Sequence, residues 1–256
     1  MKLRWLLLPV LLGALLGGEA RADVTIETKH NEETHMMYLA EHMFRSDIKD
    51  GMVIFRGDKK VLWMVDLGKK KYTEMTEADA KAMGQKIDEA MARMQEALKE
   101  ASPEQRAMME KMMGNVPGAK QKSKRIVTPL GQSREINGFR CKGYTVDTGD
   151  EATSEVWATD PKAINLDPAE LSVFKEFAEF MQEILPGMDS LEELMKDYEN
   201  PGEDQVPGFP ILTIAKDKKG KESWRSEVVR LEKGSIGAEK FEVPAGWKKE
   251  KGAFGE

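Results

Sequence analysis

The chain's three histidines all fall within a short N-terminal stretch, at His30, His35 and His42. They stand among Met36, Met37 and Met43, and imidazole with thioether is a donor set that suits copper, Cu(I) above all. Spacing argues the other way. On a single strand His30 and His35 have opposite parity and point to opposite faces, so a common site needs a bulge or the neighbouring strand. Solvated polar residues on a long first hairpin are the simpler reading, and copper or zinc binding there stands as an alternative. The sole cysteine, Cys141, excludes an internal disulfide framework and a cysteine-based zinc cluster, each of which needs at least two. It sits in an alternating segment with Phe139 and Gly143 on its side; a lone thiol can react or dimerise a chain, but more often it is buried and inert. There is no Gly-x-Ser-x-Gly elbow, no phosphate-binding glycine loop, no calcium-loop spacing and no His-Glu-x-x-His. The expectation is no catalysis, no cofactor and no metal. A net charge of −6 and a pI near 5.4 argue against nucleic acid, whose phosphates call for clustered Lys and Arg.

Methionine is the compositional anomaly. Seven of 17 lie between Met83 and Met113, and this flexible, polarisable side chain suits surfaces that fit irregular apolar partners. A plain core would use it too, although the adjacent pairs Met108-Met109 and Met112-Met113 spread apolar groups over a wider arc than one core contact needs.

The elements that must carry these residues follow from period. Val24, Ile26 and Thr28 alternate with polar neighbours, and 52–55 and 61–65 are short apolar runs joined by glycine-containing turns at 56–59 and 66–69, the pattern of an antiparallel meander. From Thr76, paired with Asp79 as a capping box, Met83, Ile87, Met91, Met94 and Leu98 recur at helical spacing. A second helix is expected from Ser102 to Gly114, with Pro103 at its first position. Strands are expected at 125–128, 139–148 and 152–159, with Asn137-Gly138 as one turn. Asp167-Pro168-Ala169-Glu170 is a helix start whose face carries Leu171, Phe174, Phe177, Met181 and Ile184. A short helix at 190–198, strands at 209–216 and 224–232, and a last strand segment at 241–244 complete the reading. Strands interrupted by helical blocks give an α+β protein built on one antiparallel sheet.

Residues 1–22 read as a secretory signal: Lys2 and Arg4 precede an apolar run from Leu6 to Leu16, and Ala20-Arg21-Ala22 places small residues where a signal peptidase reads. Cleavage before Asp23 removes a net +2 and leaves residues 23–256 as a single domain of charge −8, free in the periplasm or secreted. No downstream run approaches transmembrane length.

Several segments resemble a family of exported bacterial proteins grouped as domain of unknown function 4412. They are 53–66 with Tyr72-Thr73-Glu74-Met75, Asn137 to Tyr144, Glu155-Val156-Trp157-Ala158-Thr159-Asp160, Pro207-Gly208-Phe209-Pro210 and Phe241 to Trp247. The family in turn resembles the periplasmic lipoprotein carriers of the LolA and LppX type. That resemblance implies a curved antiparallel half-barrel with helices over its concave side and an apolar cavity between, and it carries no catalytic residues. The candidate ligand-binding residues are then Trp63, Met83, Met91, Met94, Phe174, Phe177 and Met181, lining either a pocket or a closed core. A carrier for an acyl chain or other amphipathic ligand is the leading expectation. An envelope interaction module with a packed core, docking a protein partner, is its rival.

Overall fold

The computed structural model describes residues 23–100, 125–148, 153–184, 202 and 204–251. The expected signal at 1–22, the helix at 102–114 with its methionine pairs and the helix at 190–198 lie outside them. The first half is a six-strand meander: β1 (Val24–His30), β2 (Glu33–Ala40), β3 (Met43–Ile48), β4 (Gly51–Arg56), β5 (Val61–Asp66) and β6 (Lys71–Thr76). Helix α1 (Glu77–Glu100) follows, then β7 (Ile126–Ile136), β8 (Phe139–Asp147), β9 (Thr153–Thr159), helix α2 (Ser172–Gln182), β10 (Phe209–Lys216), β11 (Glu222–Lys233) and β12 (Lys248–Glu250).

All strands join one open, curved sheet in the order β12-β6-β5-β4-β3-β2-β1-β11-β10-β9-β8-β7. The two halves of the chain meet at β1, where Val24 stands between Leu39 of β2 and Lys233 of β11. Asn137 and Gly138 both adopt positive φ, 50° and 83°, the conformation that lets two residues turn a hairpin in step with strand twist. β7 runs well past the expected Thr128 because its Pro129 and Gly131 sit at a shift of register between Pro129 and Ser133. An edge strand tolerates proline and a bulge where a central strand would not.

Apolar residues fill both sides of the meander. On the inner side Val24, Ile26, Leu39, Phe44, Phe55 and Leu62 share a core with Leu171, Val173 and Phe180 around α2. On the outer side Met52, Ile54, Val61, Trp63 and Val65 pack with Phe241, flanked by Ile236, Val243 and Trp247. That double burial accounts for the unbroken apolar runs of β4 and β5, since a sheet wet on one face would alternate.

The outer core is closed by a strap formed by the last described residues. At its root Gly234 N–H donates to the Asp23 carbonyl at 3.0 Å and Ile236 N–H to Asp23 Oδ2 at 2.7 Å. It crosses the outer face through a 3₁₀ turn at Ala238–Phe241 and ends as β12 on the edge of β6. The expected strand at 241–244 is therefore not one, and the sheet is not wholly antiparallel. β12 pairs parallel to β6, a relation that no tight hairpin could make and that the long crossing of the strap allows. Ion pairs hold the strap: Arg56 and Lys59 to Glu242, Lys71 to Glu250, and Lys249 to Glu74.

Acid should loosen this strap. Hydrogen bonds from Lys249 and then Trp63 hold the Glu74 carboxyl below its ordinary range, and the Arg56 guanidinium does the same for Asp58. A carboxyl depressed in the folded state contributes stability that is full above its unfolded pKa and lost as pH falls through the folded one. Lys249→Met should accordingly move the acid unfolding midpoint, followed by tryptophan emission, to higher pH. An unchanged midpoint would take Glu74 out of the account.

Candidate binding site on the inner face

Helix α1 is launched by a reciprocal cap: Asp79 N–H donates to Thr76 Oγ1 at 3.2 Å and Thr76 N–H to Asp79 Oδ2 at 2.9 Å. Asp167 and Glu170 form the expected capping box, on a 3₁₀ turn at Pro168–Leu171 that leads into α2. Both ends of the site are thus fixed by local side-chain chemistry. The helices meet at Gly84, where a Cβ would collide with the Glu183 carbonyl oxygen, so only glycine allows this approach.

Below α2 the rings of five phenylalanines interlock. Phe177 meets Phe44 edge-on at 4.9 Å and Phe55 at 5.4 Å; Phe174 lies 5.7 Å from Phe44, and Phe180 5.5 Å from Phe55. Tilted and edge-to-face geometries of this kind are favoured by the ring quadrupole. Phe174 and Phe177 of the nest, with Met37, Val53, Met83, Ile87 and Met181 around it, are only partly buried, so they form an apolar rim that keeps some exposure.

Four of the seven candidate residues, Met83, Phe174, Phe177 and Met181, therefore come together on one core. Met91 and Met94 are partly buried farther along α1, beyond the residues that pack against it. Trp63 stands on the other side of the sheet, 8% exposed in the outer core, with its indole N–H donated to Glu74 at 2.8 Å and Lys59 over its ring. The helical spacing of α2 misses Val173 and Phe180, both buried. Nothing in it singles out Phe44 and Phe55 either, since Phe55 ends an unbroken apolar run and Phe44 follows another apolar residue, Met43.

The histidines divide. His30 and His35 lie on neighbouring strands across the Asn31 turn, their rings stacked at 4.4 Å with Trp224 edge-on at 5.7 Å. Burial, and then His35, lowers the His30 pKa. His42 is elsewhere, its Nδ1 2.7 Å from Glu176 Oε1 on α2. Among the described residues no three His, Cys, Asp or Glu side chains gather as metal ligands. Cys141 is buried, its thiol donates to the Phe139 carbonyl at 3.3 Å, and burial pushes its pKa up, which disfavours the reactive thiolate. No helix among the described residues is long and apolar enough to cross a membrane.

The open sheet, the two helices over its inner face and the apolar rim between them define an α+β half-barrel. The chain belongs to the family described as domain of unknown function (DUF4412), whose model matches residues 96–247. No curated protein matches it. Among solved structures it is similar to an uncharacterised conserved protein from Thermus thermophilus, at 8% identity over 90% of this chain and 91% of that one, TM-score 0.42. It is also similar to MucB in the Pseudomonas aeruginosa MucA/MucB complex, at 10% identity over 88% of this chain and 56% of that one, TM-score 0.36. PNGF-II is similar at 7% identity over 90% of this chain and 32% of that one, TM-score 0.34.

Proposed function

We propose that this is a soluble periplasmic or secreted binding protein that carries an apolar or amphipathic ligand, such as an acyl chain, without catalysis. The observation behind this reading is the rim of partly buried Met83, Ile87, Phe174, Phe177 and Met181, drawn from both helices to one side of the sheet. Apolar side chains left reachable in one group mark binding surfaces more often than isolated ones do, and methionine adapts to varied apolar shapes. The interlocked phenylalanines favour a second reading, an interaction module with a closed core that docks an envelope protein, because rings already in contact leave no room between them.

Native mass spectrometry with lipid extraction, followed by titration of a fluorescent fatty acid, separates the two. The carrier reading expects a co-purifying apolar ligand, and several-fold weaker fatty-acid binding in Met83→Ala and Phe177→Ala. A wild-type protein with no extractable ligand and no fatty-acid binding would discard the carrier and leave the interaction module.

A further inference from the structure

A pocket of about 290 Å³ opens where β8, the end of β9 and the Pro207-Gly208 approach to β10 meet. Arg140, Lys142 and Tyr144 line it from alternate positions of β8, so they share one side of the strand, and Ser133 stands in register with Lys142 on β7. The Tyr144 residue is only 8% exposed. Its hydroxyl has no hydrogen-bond partner among the described residues, yet no enclosed side-chain polar atom goes unpaired there, so the hydroxyl is open to the pocket.

The cations around it are left unpaired. Neither Arg140 nor Lys142 has an ion-pair partner among the described residues, whereas Arg56, Lys59, Lys71 and Lys249 on the strap side are all paired. Two carboxylates are nearby. Asp160 lines the pocket but accepts the Lys162 N–H at 2.9 Å, and Glu135 stands opposite Arg140 in register without forming an ion pair.

We propose that this pocket binds a small oxyanion, the phosphate or carboxylate group of a ligand distinct from any held on the inner face. The Arg140 guanidinium supplies a planar fork for two oxygens and Lys142 a compact point charge. The Tyr144 and Ser133 hydroxyls donate the remaining hydrogen bonds. A pocket of this size takes a small molecule or a single lipid headgroup.

Calorimetric titration of the exported protein with glycerol 3-phosphate and with succinate, and sedimentation with phosphatidylglycerol or phosphatidylcholine vesicles, tests this. Saturable binding of an anionic probe is expected, weakened roughly tenfold by Arg140→Gln and measurably by Tyr144→Phe, since one charge-assisted hydrogen bond is worth about that factor. Unfolding midpoints should not move in either variant. Binding of the free anions assigns the site to soluble ligands, and binding only of phosphatidylglycerol vesicles assigns it to headgroups. Absence of binding to every anionic probe, or binding that both substitutions leave intact, overturns the proposal. Met83→Ala, on the inner face, should leave anion binding as it was, so this result stands or falls apart from the carrier reading.

Discussion

Phe241→Ala should cost on the order of 3–5 kcal/mol of folding stability, the range for removing a buried phenylalanine where the surroundings collapse only in part. The side chain is fully buried, seated against Ile54, Val61, Trp63 and Val65, and the strap that carries it is held on both sides. Arg45 donates to the Lys240 carbonyl at 3.1 Å, and Arg56 and Lys59 grip Glu242. A strap so fixed cannot settle into the void, which puts the cost toward the upper end. Urea unfolding followed by far-ultraviolet circular dichroism gives the number. A loss below about 1 kcal/mol, typical of a surface change, would mean that the outer core is not part of the cooperative unit.

Phe55→Ala is the matching test on the inner side. Phe55 is 1% exposed and touches Phe44, Phe177 and Phe180, so a loss of about 3–5 kcal/mol is expected here too. Phe177→Ala should cost less, because that ring keeps partial exposure and already lacks packing atoms on one side. The comparison separates a residue that holds the fold from one that can also meet a ligand. Equal losses at the two positions would place Phe177 wholly in the core.

Local pattern is enough for much of this architecture. Caps at Thr76 and Asp167, the Asn137-Gly138 turn and the apolar runs of β4 and β5 are written in neighbouring residues, and those elements stand where the pattern puts them. What covers the far side of the sheet is not legible. Ile54 and Trp63 are buried by residues such as Phe241, some 180 positions on, and no local period reports such a partner. Phe241-Glu242-Val243 reads as a strand because it alternates, and the alternation is real: Phe241 and Val243 face the outer core while Glu242 turns to Arg56. Only the ladder partner is missing, as the segment lies across the strands rather than beside one. Trp63 falls on the wrong side in a sequence reading for a related reason, since an unbroken apolar run does not say which face is which. For His30 and His35 the parity argument assumes one strand, and the Asn31 turn puts them on two.

The pairing of Val24 with Lys233 also sets a timetable for making the protein. The N-terminal meander leaves the ribosome first, and the partner of β1 and the cover of the outer core follow only after both helices and the intervening strands. Until Phe241 has emerged, Ile54, Trp63 and Val65 lack the strap that covers them, and closing so long a loop is slow in any case. A growing chain of this design stays short of its native state until β11 and the strap have been made, so its unfinished apolar strands must be kept apart from one another until then.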